Sequence, residues 1–542
     1  MFSRYRRRFS PFVLARAVPL ALTCLFLLNI KGSRKTVTVS VRDGAHELPV
    51  ETVLTGDGES VIPTIEATED ASFWTDVSHG VCGFCAPFQR TGSQVRSEPS
   101  HLGSDIKNPE EPRHIAIGRI LGERGALRGA ELGVQRGKFS KDLLGVWSAY
   151  NISPEYLLVD VWKPLGNYFD GANVNESAQE RIYEAAKEAT SIYNTQICRN
   201  LTVTCAERAP NDSFDFIYVD ARHDFKGVMM DLEHWFPKLK QGGVIAGHDY
   251  VPATKQFEDK SVSKYYVNFD GTLDITLKGG MGAVDLFFAS KGFQIDVVDT
   301  KNPWPTWIVD TSRKYSQNQV PKILHFCWID TNWDSEQSQV PMRIVRIVNE
   351  WQKINRGWAS IIWTNSLIKR KFPTLFAELR KITVPAWAAN LVRYHVLAKY
   401  GGLYLDTDIE PINPLKDYMT QSSFTVCEES REGKCLSACN AVIGVTLADA
   451  TGVMQLVANA ALKKSLKLLK TTSRFSYGPG LTGPTFWSFA AFSKDSGFKV
   501  LLPETFYPCS WRDRSKCIKA NFIDSKHVVA MHTWEHSWSG RG

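Results

Sequence analysis

The sequence predicts an α/β protein with two successive sheet domains behind an N-terminal membrane segment. Its 542 residues exceed what one hydrophobic core usually serves. Short apolar runs alternate with helix-like stretches from about residue 113 to 310, and a second such pattern starts near residue 320. We therefore expect four segments: a cytosolic tail with a signal anchor at 1–30, a largely irregular stem at 31–112, and α/β domains at 113–312 and 318–542.

Composition and charge are those of an ordinary globular protein. Hydrophobic residues make up 43% of the chain and charged residues 22%, which excludes a wholly disordered chain and a polytopic membrane protein. The net charge is +7, but residues 1–42 hold nine Lys and Arg and no acidic residue. The remainder carries 55 basic and 57 acidic residues, so the sequence predicts no nucleic-acid partner.

The first 30 residues have the pattern of a signal anchor. Four arginines within the first eight residues precede a mostly apolar stretch from Pro11 to Ile30, which Arg16 and Pro19 weaken. No clear small-x-small cleavage site follows it. We therefore expect a single-pass type II protein of the Golgi or endoplasmic reticulum membrane with its catalytic domains in the lumen. A cleaved signal peptide and a transit peptide are the alternatives.

The segment at 31–112 has the composition of a stem. It is rich in Ser, Thr, Glu, Gly and Pro and shows little periodicity. Such a segment would hold the catalytic domains away from the membrane.

The cysteines and the glycosylation sequons fit a lumenal location. Close pairs of cysteines favour disulfides in an oxidising compartment. The close groups are Cys82 with Cys85, Cys198 with Cys205, Cys427 with Cys435 and Cys439, and Cys509 with Cys517. Zinc is the alternative, but the only C-x-x-C in the chain has no second C-x-x-C downstream. Four N-x-S/T sequons begin at Asn151, Asn175, Asn200 and Asn211.

A glycine-containing turn opens the first α/β domain. Glu131, Gly133 and Gly137 precede a helix expected at residues 140–150. Glycines in such a turn let a ligand approach the backbone, although E-x-G-x-x-x-G also occurs in purely structural turns. The next strand ends in Asp160, about 30 residues on, where a carboxylate can bind both hydroxyls of a ribose.

Two further strands carry acids at their carboxyl ends. The apolar run 214–219 leads into Asp220, and the run 243–246 leads into Asp249. Three acid-tipped strands in succession indicate a functional site rather than incidental surface charge.

With these motifs, residues 129–250 resemble the class I S-adenosylmethionine-dependent methyltransferases. The resemblance rests on the strand–Asp–x–x–His element, the run Asp231-Leu-Glu-His-Trp235 and the following Gly-Gly-Val-Ile-x-Gly-His-Asp. It implies a Rossmann-like fold that binds S-adenosylmethionine. The residues implied are Glu131, Gly133 and Gly137 at the methionine end of the cofactor and Asp160 at its ribose.

The metal-dependent O-methyltransferases of this class suggest further roles. Their carboxylates at the ends of the fourth and fifth strands hold a divalent ion that orients a substrate hydroxyl, and Asp220 and Asp249 match those positions. His223 is then the candidate general base that takes the hydroxyl proton. The alternative for His223 is a surface histidine that is hydrogen-bonded in a turn.

The second domain contains a D-x-D strand end. A helix expected at residues 386–400 stops at Gly401 and Gly402, and the next run ends in Asp406-Thr-Asp408. Alternate residues of a strand share a face, so both carboxylates can turn toward one ion, and oxygen ligands suit Mn²⁺ or Mg²⁺. A solvated acidic turn is the alternative for an isolated D-x-D.

The context of this motif resembles glycosyltransferase family 32, the DXD sugar transferases that include mannosyltransferases and galactosyltransferases. The D-x-D lies in Arg-Tyr-x-x-Leu-x-x-Tyr-Gly-Gly-x-Tyr-Leu-Asp-x-Asp. Further matches occur in order at residues 320–328, 363–365, 440, 482–484 and 532–538. The resemblance implies a GT-A-like fold and a nucleotide sugar as donor.

The family pattern also implies residue roles. Asp406 contacts the nucleotide sugar, Asp408 ligates the divalent ion together with Asp406, Arg393 steadies the donor, and His532 completes the coordination. Members often carry Asp three residues before this Arg, whereas this chain has Asn390. The departure affects the expected sugar contact and leaves the metal ligands unchanged.

The sequence thus predicts a membrane-anchored glycosyltransferase that moves a sugar from a nucleotide sugar to a glycan or glycoconjugate acceptor, with a linked O-methyltransferase domain. Transfer would retain the anomeric configuration, as the family resemblance implies. The alternative is that only the glycosyltransferase is active and that the methyltransferase-like domain is a binding or structural module.

Overall fold

The structure is a computed structural model that describes a short N-terminal segment and most of the chain from residue 106 onward. The described residues are 36–43, 46–53, 106–166, 168, 170–251, 267–272, 274, 276, 278–330, 332–333, 340–431, 434–471, 479–493, 496–509 and 518–534. The predicted signal anchor at 1–30 lies outside them. Within these ranges, the structure contains no helix with the length and hydropathy needed to span a membrane.

The chain divides into two compact units, Met1–Pro87 and Phe88–Gly542. In the first unit, strands β1 (Thr36–Asp43) and β2 (His46–Val53) pair as an antiparallel hairpin, with Thr36 opposite Val53. This hairpin lies in the segment predicted to be a largely irregular stem, and the alternation of Val with Thr and Ser over residues 36–41 is the strand signal that the prediction missed.

The second unit begins with a seven-stranded sheet in the spatial order β5-β4-β3-β6-β7-β9-β8. Strands β3 to β7 are parallel, and β9 runs antiparallel to both of its neighbours. Its strands are β3 (Arg128–Leu132), β4 (Glu155–Asp160), β5 (Thr195–Arg199), β6 (Phe214–Val219), β7 (Leu239–Gly247), β8 (Asp296–Val298) and β9 (Thr306–Asp310). The predicted α/β class and the Rossmann-like order of the first five strands are confirmed.

In the described residues, six α-helices accompany this sheet. They are α1 (Arg113–Glu123), α2 (Lys138–Ser148), α3 (Glu176–Thr190), α4 (Thr202–Arg208), α5 (Phe225–Trp235) and α6 (Gly280–Lys291). Polar caps fix where two of them begin: the side chain of Asn175 accepts from the amide of Ala178, and that of Asp224 accepts from the amide of Gly227. The strand order reverses between β3 and β6, and ligands of open α/β sheets bind at that reversal, beyond the carboxyl ends of the strands.

A six-stranded mixed sheet follows in the order β11-β10-β12-β15-β14-β16, and a separate ribbon pairs β13 with β17. The strands are β10 (Ile323–Cys327), β11 (Ala359–Trp363), β12 (Gly402–Leu405), β13 (Ile409–Pro411), β14 (Phe424–Arg431), β15 (Lys434–Val445), β16 (Lys499–Leu501) and β17 (Ala530–His532). The ribbon is antiparallel and places Ile409 opposite His532. It therefore brings the end of the chain back to the D-x-D turn.

Eight α-helices accompany the second sheet in the part of the chain that the structure describes. They are α7 (Met342–Ile354), α8 (Asn365–Lys371), α9 (Pro373–Leu379), α10 (Pro385–Tyr400), α11 (Leu447–Asp449), α12 (Gln455–Thr471), α13 (Pro479–Thr482) and α14 (Pro484–Ala491). Helix α10 ends as predicted: Gly401 follows it with a φ of 62°, a left-handed value that suits glycine.

One hydrophobic core is continuous across both sheets of the second unit. It contains Phe288 and Trp307 beside the first sheet and Ile361 and Trp363 on the second. A buried ion pair lies in the same region: Lys278 and Asp285 are at most 1% exposed, and both contact Ser360 of β11. Residues 113–312 therefore depend on residues beyond 318 for part of their burial.

Two of the predicted cysteine pairings are confirmed, Cys198 with Cys205 and Cys427 with Cys435. The third member of the second group, Cys439, is a buried free thiol, because the bridge spans the arms of the β14–β15 hairpin nearer its turn. The predicted pair at 82 and 85 and the cysteine at 517 lie outside the described residues.

Candidate active sites

The glycine turn after β3 is shaped by close backbone contacts. Gly133 has a φ of 86°, and a Cβ there would lie 2.1 Å from the carbonyl oxygen of Asp220 at the end of β6. Gly137 has a φ of 71° and immediately precedes α2. Side chains at these positions would force the turn away from the neighbouring strand end and strain its backbone. The backbone amides of the turn and the start of α2 therefore lie where the order of the strands reverses, between β3 and β6.

The carboxylate of Asp160 holds this turn in place. Its Oδ2 accepts hydrogen bonds from the amides of Val134 and Gln135 at 3.0 and 2.9 Å, and its Oδ1 accepts one from the amide of Trp162 at 3.0 Å. The acid predicted to bind a ribose therefore also anchors the loop that would surround the cofactor. Its removal would affect both roles.

Glu131 lies beneath the turn rather than on its surface. The side chain is 1% exposed, and its Oε2 accepts hydrogen bonds from the hydroxyls of Ser140 and Tyr156 at 2.7 and 3.2 Å. Burial raises the pKa of Glu131 to about 8, although both hydrogen bonds oppose the rise. The carboxyl group is therefore neutral at pH 7.

Asp220, His223 and Asp249 converge at the carboxyl ends of β6 and β7. Their ligand atoms lie within 4.8 Å of one another, as a divalent ion requires. The Nδ1 atoms of His223 and His248 lie 3.2 and 2.8 Å from the two carboxylate oxygens of Asp249. Asp249 has a φ of 54°, an uncommon value for a residue with a side chain, although Asp adopts it more readily than most. The ring of His223 is thus held by the carboxylate of Asp249.

The two carboxylates of this cluster differ in their electrostatics. Burial raises the pKa of Asp220 well above its usual range, and the charge of Asp249 adds to the rise. Burial also acts to raise the pKa of Asp249, but the hydrogen bond from His248 and the charge of His223 outweigh it, so the net shift is downward. A divalent cation would remove the repulsion between the two acids, and the carboxylate oxygens of Asp220 and Asp249 suit such an ion.

Sequence analysis missed two residues beside this cluster. Nε2 of His248 is buried and has no hydrogen-bond partner in the described part of the chain. Arg113, at the start of α1, lies with its Cζ 5.1 Å above the ring of Phe139 and acts to lower the pKa values of Asp220 and Asp249. Arg113 precedes Asp220 by 107 positions in the sequence. No local sequence pattern could therefore link the two residues.

A pocket opens beside His223 and Asp249. It is small and partly open, with a volume of about 20 Å³, and it is lined by Val219, Arg222, His223, Val228, His248, Asp249, Tyr250, Gly280, Met281, Val284 and Trp307. The lining combines apolar side chains with His223, His248 and Asp249. It therefore suits a molecule that presents both an apolar part and a polar group.

In the second sheet, Asp406 and Asp408 lie in the turn between β12 and β13. Strand β12 ends at Leu405, so the expectation that alternation along a strand would align the two carboxylates is wrong. The amide of Ile409 donates to the carbonyl of Asp406 at 3.1 Å, which closes the turn. The turn, rather than the strand pleat, brings both carboxylates to the same side.

Arg393 acts on Asp406 directly. Its Nη2 donates to Asp406 Oδ1 at 2.6 Å, its Nη1 donates to the carbonyl of Asn440, and the residue is 4% exposed. The hydroxyl of Tyr404 donates to the same carboxylate oxygen at 3.0 Å. Asp406 is therefore fixed in one orientation by a buried cation and a phenol. Tyr404 was not selected from the sequence, although it lies two residues before the acid.

His532 completes a cluster with the two acids. Its Nε2 lies 3.1 Å from Asp408 Oδ1, and the ligand atoms of Asp406, Asp408 and His532 lie within 4.8 Å of one another. Burial acts to lower the pKa of His532, but the adjacent Asp408 raises it above its ordinary value. The structure thus brings together the three residues predicted to hold a divalent ion, and two carboxylates with an imidazole suit Mn²⁺ or Mg²⁺.

Asn390 and Asn440 form a hydrogen-bonded pair behind this cluster. Asn440 Nδ2 donates to Asn390 Oδ1 at 2.8 Å and to the hydroxyl of Tyr394 at 3.2 Å. The residue that replaces the usual family aspartate is 5% exposed. Asn390 therefore supports the strand that holds Arg393 in place.

His325 is a structural residue of the core. Its Nδ1 accepts from the indole of Trp363 at 3.1 Å, and its Nε2 lies 2.9 Å from the carbonyl of Gly401. Burial lowers the pKa of His325 to about 4, so the ring is neutral at pH 7. The histidine therefore fixes Gly401, which immediately precedes β12.

Two family descriptions match separate parts of the chain. Residues 130–250 match the family described as a methyltransferase domain. Residues 341–425 match the family described as a glycosyltransferase sugar-binding region containing a DXD motif. The chain therefore carries both regions, and the two resemblances seen in the sequence are confirmed. The second match includes Arg393 and both acids of the D-x-D and ends before His532.

Similar curated proteins are glycosyltransferases. Inositol phosphoceramide mannosyltransferase 1 of Schizosaccharomyces pombe is 25% identical over 122 residues, which are 21% of this chain and 36% of that protein. An uncharacterized glycosyltransferase of Acanthamoeba polyphaga mimivirus is 30% identical over 105 residues, which are 18% of this chain and 40% of that protein. The chain thus matches well under half the length of these relatives.

Solved structures of methyltransferases are also similar to part of the chain. The O-methyltransferase from Bacillus cereus in complex with SAH is 15% identical, with a TM-score of 0.26, and the match covers 39% of this chain and 84% of that one.

Proposed function

We propose that this chain, in which a methyltransferase domain precedes a DXD sugar-binding region, is a membrane-anchored glycosyltransferase with a linked S-adenosylmethionine-dependent O-methyltransferase. The observation that carries the proposal is the convergence of Asp406, Asp408 and His532. Their approach depends on the pairing of β13 with β17, which joins residues more than 100 positions apart. A solvated acidic turn would not need this pairing or a buried arginine behind it.

In sugar transfer, each residue has a distinct task. Arg393 and Tyr404 fix Asp406 toward the nucleotide sugar, while His532 and the ribbon fix Asp408. A bound Mn²⁺ or Mg²⁺ would neutralise the nucleoside diphosphate as it leaves. Because the ligands are held before the donor binds, little reorganisation is needed when charge develops on the leaving group. Family resemblance supports retention of the anomeric configuration.

In methyl transfer, the glycine turn and Asp160 would bind S-adenosylmethionine, which supplies an electrophilic methyl group. Asp220 and Asp249 would hold a divalent ion near the acceptor hydroxyl. His223 would take the proton of that hydroxyl, with Asp249 orienting its ring through the 3.2 Å contact. His223 and Asp249 line the pocket, where an acceptor would reach them.

The acceptor and compartment follow from the same proposal. The acceptor is a glycan or glycoconjugate, and the two domains would build and then methylate one product. The disulfides Cys198–Cys205 and Cys427–Cys435 support an oxidising lumen, in agreement with an anchor at 1–30 in the Golgi or endoplasmic reticulum membrane.

Nucleotide-sugar hydrolysis by the purified full chain tests the sugar-transfer proposal. The full chain is needed because one core is shared by both sheets. The screen starts with GDP-mannose, since a curated relative is named a mannosyltransferase. We expect hydrolysis of one nucleotide sugar with Mn²⁺ and none after chelation. Hydrolysis of no nucleotide sugar, or hydrolysis that a chelator leaves unchanged, would contradict the proposal.

Calorimetry with S-adenosylmethionine on the same chain tests the methyltransferase proposal separately. Binding together with methyl transfer to a hydroxylated acceptor is expected. Binding without transfer would favour the alternative of a binding module, and absence of binding would favour a structural module.

A further inference from the structure

A cluster of lysines covers the outer face of α12. Lys463, Lys464, Lys467 and Lys470 are all exposed, and the helix contains no acidic residue. Its opposite face is buried against α10, where the indole of Trp387 donates to Ser465 at 2.8 Å. The helix therefore has a packed side and a strongly positive side.

Two exposed aromatic rings lie on and just after α14. Phe489 follows the partly buried Phe486 by three residues on the helix, and Phe492 is the residue after its last turn. Phe489 is 79% exposed and Phe492 42% exposed, whereas the adjacent Trp487 is buried. Single exposed apolar residues are normal on protein surfaces, but two exposed phenylalanines near a lysine cluster indicate a contact surface.

A cation–π contact joins the two helices. Nζ of Lys464 lies 5.5 Å from the ring centre of Phe486. We name the combined feature the basic–aromatic surface, and its members are Lys463, Lys464, Lys467, Lys470, Phe486, Phe489 and Phe492.

This surface is connected to the D-x-D site by a short series of contacts. The rings of Phe486 and Tyr394 lie 5.9 Å apart, and the Tyr394 hydroxyl accepts a hydrogen bond from Asn440. The carbonyl of Asn440 accepts from Arg393, which holds Asp406. The surface and the site therefore belong to one packed region.

We propose that the basic–aromatic surface docks on an anionic lipid bilayer. Lysines near a negatively charged membrane are attracted to its headgroups, and aromatic rings bury into the boundary between headgroups and acyl chains. A soluble polyanion would satisfy the lysines but would leave the phenylalanines in water, so the combination selects a bilayer. Docking would hold the D-x-D region at the membrane surface, within reach of acceptors embedded there. This inference goes beyond sugar and methyl transfer and does not depend on either activity.

An environment-sensitive fluorescent amino acid at position 489 tests the proposal. The full chain is reconstituted into vesicles of phosphatidylcholine alone or mixed with phosphatidylserine. The emission of the probe should shift to the blue in the mixed vesicles, and the shift should decrease as salt is added. The same probe at Ile192, which is also 79% exposed but lies in the part built around the seven-stranded sheet, is the matched control and should not shift.

Lysine variants provide the second part of the test. Each substitution among Lys463→Gln, Lys464→Gln, Lys467→Gln and Lys470→Gln should weaken docking roughly fivefold. The single variant Lys467→Gln keeps the test valid if the quadruple variant unfolds. The proposal is overturned if the probe at position 489 does not shift in mixed vesicles, if position 192 shifts equally, or if the lysine variants dock as well as the parent. An equal shift with heparin in detergent would assign the surface to soluble polyanions and would also overturn it.

Discussion

Replacement of Glu131 by Gln should stabilise the protein at neutral pH. Glu131 is 1% exposed, and burial raises its pKa from an ordinary 4.5 to about 8. The unfolded chain loses this proton above pH 4.5, while the native protein keeps it until about pH 8. Ionisation therefore favours the unfolded state between these values, so stability falls as pH rises from 4.5 and levels off above 8.

The magnitude follows from the two pKa values. At pH 7 the unfolded carboxyl lies 2.5 units above its pKa while the native one is still protonated, which corresponds to roughly 3 kcal/mol. Glutamine has no proton to lose in either state, and its amide oxygen can still accept from Ser140 and Tyr156. The variant should therefore match the parent near pH 4.5 and exceed it progressively toward pH 8.

Thermal unfolding of the full chain, without cofactor, measures this difference. The parent and Glu131→Gln are compared from pH 4.5 to pH 8, with Glu188→Gln at an exposed glutamate as the control. The control should not change the pH profile. A Glu131→Gln variant that is less stable than the parent at pH 8, or a difference that does not vary with pH, would refute the reasoning.

Three further predictions concern Asp160, Arg393 and the topology of the chain. Asp160→Ala should weaken S-adenosylmethionine binding by roughly 1.5–3 kcal/mol in calorimetry. Asp160→Asn should weaken it less, because the amide keeps an oxygen that can accept from the amides of the turn. Equal losses in the two variants would contradict the anchoring role of Asp160. Arg393→Gln should lower the free energy of unfolding by roughly 2–3 kcal/mol. This loss is smaller than that expected for a fully buried ion pair, because Asp406 is 29% exposed. An unchanged denaturant midpoint would contradict this prediction. In sealed microsomes, the body of the chain should resist protease until detergent is added, and immediate digestion would refute the lumenal topology.

Much of the first site could be predicted because its residues follow strands. The strand runs that end in Asp160, Asp220 and Asp249 are apolar and short, and parallel strands place their carboxyl ends at one edge of a sheet. Arg113 could not be predicted, since it reaches the cluster only after α1 packs on α2. Sequence spacing contains no information on that packing.

In the second sheet, the sequence predicts the acids but not how they are held. The link from His532 to Asp408 requires the ribbon of β13 and β17, each only three residues long and too short to give a periodic pattern. The core shared by the two sheets was also unforeseen. The sequence predicted separate cores for the two domains, but Phe288 and Ile361 belong to one hydrophobic core in the structure.

Sugar transfer by Asp408→Asn across a Mn²⁺ titration tests the central claim most directly. An amide is nearly isosteric with the carboxylate but gives an ion no negative ligand, so metal affinity and stabilisation of the leaving group should fall together. We expect transfer to fall about 10²-fold or more, Asp406→Asn to be severely impaired, and Asp417→Asn, at an exposed acid outside the turn, to transfer normally. Asp408→Asn and Asp417→Asn should unfold at temperatures close to that of the parent, whereas Asp406→Asn should stay folded but unfold at a lower temperature, because it leaves the buried Arg393 without its carboxylate partner. Near-normal transfer by Asp408→Asn without added metal would contradict the assignment of this turn as a metal-dependent sugar-transfer site.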